Sequence, residues 1–211
     1  MFIELVDVLR CPRAHEKIWL VLAARRVDDR DVMDGTLGCP VCKAEYPILD
    51  GVAHFDGGTP RSTATGAAPS EEDALWLAAL LDLADPRGFA VLVGGMSAYG
   101  PLIATMTDVQ LLLVDPPAGI HMGLGLSGLT MPAGAAVFPL ASGSARAVAL
   151  DSSASGEQVD AAVDVLRGGG RLVAPAPLEL PEGLTELARD DRVWVAERTA
   201  ASPVVQLSRK R

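Results

Sequence analysis

The stretch FAVLVGGMSAYG, at residues 89–100, sets the expectation for the fold. Its first five residues are apolar, as in a parallel strand that is buried on both faces. Gly94 and Gly95 then allow a tight turn, after which a helix can begin. Because a glycine turn lets the backbone approach a nucleotide-like ligand at a helix N-terminus, the same segment is the first candidate binding site.

Short apolar runs separated by turn residues continue downstream of this stretch. They predict strands at VQLLLV (109–114), AVAL (147–150) and RLVAP (171–175), with a crossover helix at 157–167. Upstream, Ser70 and three acidic residues are typical of a helix N-terminus and predict a helix that reaches Leu83. We therefore expect an α/β fold, with a Rossmann-like, mostly parallel sheet and helices on both faces.

The C-terminal segments predict a different pairing. VWVAERT (193–199) and PVVQLSRK (203–210) both have the composition of strands, and a short Ala-Ala-Ser stretch separates them. This arrangement predicts an antiparallel hairpin at the edge of the sheet.

The first 55 residues hold all three cysteines of the chain, and with one histidine they form two close pairs. Cys11 and His15 have the spacing C-x3-H, and Cys39 and Cys42 have the spacing C-x2-C. Two such pairs suit tetrahedral zinc, which would also stabilise a module too small for a large core. The alternatives are buried thiols without metal, a surviving half of a metal site, or His54 in place of His15.

The same residues resemble a known family. LVDVLRCP (5–12) and CPVCKAEYPILDGVAHF (39–55) are similar to the small zinc-ribbon proteins that bind and activate RNA and protein methyltransferases. The resemblance implies a zinc-bound, β-rich module that docks on a methyltransferase fold and covers apolar surface there. Ala14 departs from the family pattern, which has a second cysteine near this position.

Between the two halves, DGGTPRSTATGAAP (56–69) has almost no large apolar side chain. Such a segment cannot bury enough surface to offset the entropy of ordering it. We therefore expect three parts: a zinc-ribbon-like β module at 1–55, a linker at 56–70, and a Rossmann domain at 71–211.

The second half resembles the class I methyltransferases that use S-adenosylmethionine. The resemblance rests on the order and spacing of VLVGGMSAYG (91–100), FPLASGSARAVALDSS (138–153) and LRGGGRLVAPAP (166–177). It implies contacts from three regions to the methionine part, the ribose and the adenine of that cofactor. By position, the methionine part would be contacted by Gly94, Gly95 and Ser97, the ribose by Asp115, and the adenine by Leu140, Ala141 and Ser142.

Several residues depart from the class I pattern. Val93 replaces an acid, Ser97 replaces a glycine, and the bulky Met96 and Tyr99 lie close by. Two hypotheses follow: a methyltransferase of unassigned substrate, or a catalytically inactive relative that acts as an interaction or structural subunit. In the second, Met96, Tyr99 and Met122 would fill the former cofactor cleft.

No catalytic set is evident in the sequence. Asp151 follows the predicted strand AVAL and could face a substrate, but we expect it to cap a helix. We expect His121 to lie in a loop. A third reading is a zinc module that recruits a separate partner enzyme, with the α/β domain as its platform.

The net charge and composition of the chain limit the classes of partner and the cellular compartment that we expect. A net charge of -9 disfavours a protein that holds nucleic acid through its phosphates. No apolar run reaches the roughly 18–20 residues of a membrane helix. Three cysteines, two of them spaced as C-x-x-C, suit a reduced compartment, which predicts a cytoplasmic protein. A protein partner bound through the zinc module, or self-association, stays open.

Overall fold

A computed structural model describes residues 1–57, 69–132 and 134–200. Eleven strands form one sheet in the order β1-β2-β3-β4-β7-β6-β5-β8-β9-β11-β10. The strands are β1 (Val21–Asp28), β2 (Asp31–Gly38), β3 (Glu45–Leu49), β4 (Val52–His54), β5 (Phe89–Val93), β6 (Gln110–Val114), β7 (Leu126–Thr130), β8 (Ala145–Ala149), β9 (Leu166–Pro175), β10 (Leu184–Arg189) and β11 (Val193–Arg198). The result is a mixed α/β fold.

The centre of the sheet is parallel. β5 pairs with β6 on one side and with β8 on the other, and every residue of β5 is buried. The chain moves outward from β5 in one direction through β6 and β7, then returns and continues through β8 and β9. The strand order therefore reverses between β5 and β8, which is where doubly wound sheets bind ligands.

The sequence did not predict β7, because glycines dominate the segment around it. Gly128 has a packing reason to be glycine, since a Cβ atom there would meet Val52 Cγ2 at 2.7 Å. β4 approaches β7 this closely because the two strands pair in parallel, with Ala53 opposite Leu129. The N-terminal strands thereby extend the central sheet, and residues of both halves share one hydrophobic core.

The C-terminal hairpin differs from the prediction. Val193–Arg198 lies between β9 and β10 and is antiparallel to both, so its hairpin partner is Leu184–Arg189, upstream of it. The reversal occurs at Asp190, whose Oδ1 accepts hydrogen bonds from the backbone amides of Arg192 and Val193. The predicted strand PVVQLSRK lies outside the described residues.

The helices are α1 (Glu71–Leu80), α2 (Gly100–Ala104) and α3 (Gly156–Val165). As predicted, Ser70 caps α1 by accepting a hydrogen bond from the amide of Asp73. α1 and α3 bury their apolar residues in two different clusters, one on each face of the sheet. Among the described residues, no helix combines the length and the hydropathy needed to cross a bilayer.

α3 ends earlier than predicted. Its capping residue Leu166 is already extended and begins β9. The guanidinium of Arg198 donates to the carbonyls of Val163 and Leu166 and so satisfies acceptors that the end of the helix leaves open.

Candidate functional site

Two chemically distinct sites occur in the described part of the chain, and the first is a Cys3His cluster. Cys11, His15, Cys39 and Cys42 each offer one ligand atom, and these four atoms all lie within 4.8 Å of one another. The Sγ atoms of Cys11 and Cys42 are 3.7 Å apart, and His15 Nε2 lies 3.2 Å from Cys11 Sγ and 3.4 Å from Cys39 Sγ. A tetrahedron with Zn–S bonds of about 2.3 Å has an S···S edge of about 3.8 Å. The cluster could hold a metal ion.

Local backbone bonds hold the four side chains in place. The amide of Cys11 bonds to the carbonyl of Ile18, and the amide of Lys43 bonds back to the carbonyl of Cys39. Lys43, directly after Cys42, has a φ of 58° and ends the turn that carries both C-terminal ligands. Nδ1 of His15 lies 2.6 Å from the carbonyl oxygen of Glu16, a contact that requires an Nδ1–H donor. His15 Nε2 is therefore left with its lone pair toward the thiols.

The pKa shifts of the cluster differ in direction, and the contact with the Glu16 carbonyl raises the pKa of His15. A hydrogen bond from the Ala44 amide lowers the pKa of Cys42 to about 6, despite partial desolvation. Burial instead raises the pKa of Cys11, so that thiol is protonated unless a cation compensates. His54, the alternative ligand, lies outside the cluster and bonds through Nδ1 to Thr130 Oγ1 at 3.1 Å.

The second site lies over the carboxyl ends of the parallel strands, at the reversal between β5 and β8. A cavity of about 550 Å³ opens here. Its apolar walls come from α1, the turn after β5 and the β9–β11 region: Trp76, Leu77, Met96, Tyr99, Pro175 and Val193. Its charged groups are Asp73, Asp151 and Arg192, and the guanidinium of Arg192 lies 4.9 Å from the ring centre of Trp76. A space of this size takes a small organic molecule.

Met96 and Tyr99 therefore line a cavity and leave it open. Met122, the third side chain expected to fill the cleft, lies beside Gly51 instead. A Cβ atom on Gly51 would be only 2.7 Å from the Cβ atom of Met122.

The glycine turn is shaped by Asp151. The amide of Gly95 donates to Asp151 Oδ2 at 2.5 Å, and a Cβ atom on Gly94 would collide with the same oxygen. Gly94 has a φ of 59°, which also favours glycine. The turn continues as a 3₁₀ helix in which Ser97 is fully buried and donates from Oγ to the carbonyl of Gly94 at 2.5 Å.

Asp115 follows β6 in a left-handed conformation, with a φ of 54°. Its Oδ1 accepts a hydrogen bond from the amide of Met131 at 2.9 Å. Asp115 lines a separate cavity of about 340 Å³, together with Val93, Phe138, Ser153 and Gln158.

The predicted adenine contacts lie elsewhere. Leu140 is bridged to Leu9, and the amide of Ala141 bonds to the carbonyl of Val8 at 2.7 Å. Ser142 Oγ donates to Asp164 Oδ1 at 2.7 Å. In the structure Leu140 and Ala141 therefore contact the N-terminal segment, and Ser142 contacts α3.

The expectation that Asp151 caps a helix is wrong. The N-cap of α3 is Ser155, and Asp151 Oδ1 instead accepts bonds from the amide and hydroxyl of Ser153. The alternative expectation, a side chain that faces a ligand, agrees with its place in the lining of the larger cavity, at the carboxyl edge of the sheet. Nothing in the sequence pointed to Trp76 or Arg192. His121 lies exposed in a loop, as expected.

Comparison with known proteins identifies neighbours among solved structures. No protein-family model matches the chain, and a search of curated proteins finds no match. A Corynebacterium glutamicum protein matches with a TM-score of 0.47 at 19% identity, over 65% of this chain and 85% of that one. A Geobacter sulfurreducens methyltransferase matches with a TM-score of 0.41 at 14% identity, over 62% of this chain and 78% of that one.

A geranyl diphosphate methyltransferase, solved with GPP and sinefungin, matches with a TM-score of 0.41 at 17% identity. The match covers 49% of this chain and 43% of the enzyme, so the chain spans less than half of its length. Methyltransferases are thus among the structural neighbours.

Proposed function

We propose that the chain is a class I S-adenosylmethionine-dependent methyltransferase whose zinc-ribbon activator module is built into its own sheet. The observation that best supports this proposal is that three chain segments meet at one edge of the sheet. Gly95 follows β5, Asp115 follows β6 and Asp151 follows β8, and cavities open on both sides of them. This is the switch point at which an open α/β sheet binds its ligand.

The residues present suit the nucleoside half of that cofactor. The Asp115 carboxylate stands at the carboxyl end of the strand next to β5, where it can accept hydrogen bonds from ribose hydroxyls. Phe138, Val93 and Met131 give the smaller cavity apolar walls against which a purine can pack. S-Adenosylmethionine, when bound, supplies an electrophilic methyl group on a sulfonium centre.

The role proposed for this chain's own residues is to align the methyl donor with its acceptor. Methyl transfer from a sulfonium centre depends chiefly on holding donor and acceptor in line, so the absence of an acid–base set is compatible with activity. The larger cavity lies beside the glycine turn, and its Trp76, Met96 and Tyr99 walls would exclude water around an acceptor. Its Asp73 and Asp151 carboxylates would orient a hydrogen-bond donor on that acceptor.

The Cys3His cluster is proposed to hold structural zinc, because all four ligands come from the chain. We propose that the module it stabilises does the work of a separate activator, by covering surface of the α/β domain. β4 covers the edge of β7, and the segment around Leu9 covers Leu140. We propose a cytoplasmic protein that needs no second chain for this purpose.

One observation favours the alternative, a catalytically inactive subunit with the same fold. Polar atoms that a cofactor would need are already bonded within the chain: the Gly95 amide to Asp151, and Asp115 Oδ1 to the Met131 amide. In this alternative, the fold serves a protein partner or a second copy of the chain.

Calorimetric titration of zinc-loaded protein with S-adenosylmethionine and S-adenosylhomocysteine separates the two functions. We expect micromolar binding that Asp115→Ala abolishes and Asp115→Asn, which tolerates the left-handed backbone, weakens less. The matched control is Asp108→Ala, an exposed acid before the opposite end of the same strand, which should bind like the wild type. Folded, zinc-loaded protein that binds neither compound would leave the inactive subunit as the better assignment.

A further inference from the structure

The two cavities at the carboxyl edge of the sheet are lined by the same three chain segments. Val93 lines the smaller cavity and Gly95 the larger one; Asp115 lines the smaller and Pro117 the larger. After β8, Ser153 lines the smaller cavity and Asp151 the larger. Since each segment crosses from one cavity to the other within two residues, the cavities lie side by side as compartments of one cleft.

The boundary between the compartments is the Asp151 side chain. Its Oδ2 accepts the Gly95 amide at 2.5 Å, and its Oδ1 accepts the amide of Ser153 at 2.9 Å and the hydroxyl of Ser153 at 2.6 Å. The carboxylate also lies directly against Gly94, where not even a Cβ atom would fit. No ligand atom can pass between the glycine turn and Asp151 while these bonds persist.

We propose that Asp151 sets the ligand preference of the cleft, by weakening the binding of any molecule longer than a nucleoside. This inference rests on the proposed function, because it concerns the same cleft. Adenosine fits the compartment beside Asp115 and leaves Asp151 in place. A nucleoside that carries an amino-acid tail has to cross the boundary, so the Asp151 carboxylate must first leave the Gly95 amide.

The expected size of the effect follows from the bond that must break. A hydrogen bond to a charged group is worth about 1.5–3 kcal/mol, which corresponds to a change in Kd of about 10- to 100-fold. Removing the carboxylate should therefore tighten binding of the long ligand by about tenfold or more. Adenosine should bind with unchanged affinity, since it breaks no bond of Asp151.

The experiment is calorimetric titration of adenosine and of S-adenosylhomocysteine into the wild-type protein, Asp151→Ala and Asp151→Ser. The serine variant keeps a polar group near Ser153 but is too short to reach Gly95, and it serves if the alanine variant is unstable. Asp160→Ala removes an equal charge from an exposed position on α3 and is the matched control. Thermal melting checks that every protein is folded.

We expect both Asp151 variants to bind S-adenosylhomocysteine at least about tenfold more tightly than the wild type and Asp160→Ala. Adenosine bound by all proteins, with S-adenosylhomocysteine equally tight or weaker in the Asp151 variants, would overturn the inference and leave the proposed cofactor assignment intact. Failure of both compounds to bind any of the proteins would overturn the proposed function and the inference together.

Discussion

The Sγ atoms of Cys11 and Cys42 lie 3.7 Å apart, although the two residues are 31 positions apart in the chain. The hairpin of β1 and β2 is the intervening structure, and it returns the chain so that both thiols face His15. Two thiols at this distance with no disulfide between them have the separation of ligands on one tetrahedral ion.

We predict about one zinc ion per chain, which elemental analysis of the purified protein would detect. Cys42→Ser and His15→Ala should each lower the zinc content and cost on the order of 3 kcal/mol, or about 6–12 °C in Tm. His121→Ala, which changes an exposed histidine outside the cluster, should keep both values. Full zinc occupancy in His15→Ala would show that this histidine is not a ligand.

Gly128→Ala should destabilise the junction between β4 and β7. The new methyl group meets Val52 Cγ2 at 2.7 Å, an overpacking that costs about 1–3 kcal/mol in urea unfolding. Combining it with Val52→Ala should recover part of the loss, because the two substitutions relieve the same contact. Gly156→Ala is the control, since nothing lies within 4 Å of its Cβ position. A fully additive double mutant would contradict this account.

Arg146 should be among the most sensitive charged positions. It is 7% exposed, and its guanidinium donates to the carbonyls of Asp82, Asp85 and Arg87 after α1. Arg146→Met keeps the volume but leaves these acceptors without donors, at a cost of about 2–3 kcal/mol by chemical denaturation. Arg87→Met removes a mostly exposed cation and should cost less than about 1 kcal/mol. Equal costs would mean that the buried bonds contribute little.

The ion pair of Lys17 with Asp164 should stabilise the contact between the N-terminal module and α3 only above acidic pH. Burial acts to raise the pKa of Asp164, but hydrogen bonds from Ser142 and Lys17 outweigh it, so the net pKa is lowered. A lowered folded-state pKa means that the stabilisation is present above the unfolded value of about 3.9 and is lost as pH falls below it.

A double-mutant cycle with Lys17→Met and Asp164→Asn measures this coupling by urea unfolding. Both side chains are about half exposed, at 64% and 47%, so we expect only about 0.5 kcal/mol at pH 7, decreasing as pH falls through the lowered pKa of Asp164. Loss of zinc at low pH is common to all four proteins and cancels in the cycle. A coupling that does not decrease as pH falls would assign the effect to packing of the lysine stem.

The parts of the fold that follow from local pattern could be predicted. Neighbouring residues in the sequence are enough to predict the apolar run at β5, the capped start of α1 and the two ligand pairs. The strand β7 could not be predicted, because its glycines are required by the approach of β4 from a distant part of the chain. β10 was missed for a related reason: five of its six residues are exposed, so it carries no hydrophobic alternation.

At the cleft, sequence reasoning located the glycine turn but not what contacts it. Gly94 and Asp151 are 57 positions apart, and only the reversal of strand order brings them together. Likewise, the residues at 140–142 follow the pattern of the methyltransferase resemblance, yet the N-terminal segment lies against them. Such contacts depend on topology, which single-residue patterns do not carry.

The pairing of β4 with β7 also covers a strand edge on which other copies of the chain could add. Without β4, the apolar β7 would end the sheet with unpaired amides and carbonyls, a template for intermolecular strand addition. Within the described residues the terminal strands are instead β1 and β10, which carry Arg25, Arg26 and Asp28, and Glu186 and Arg189. Charged terminal strands disfavour such growth, so we expect the N-terminal strands to protect the protein against aggregation.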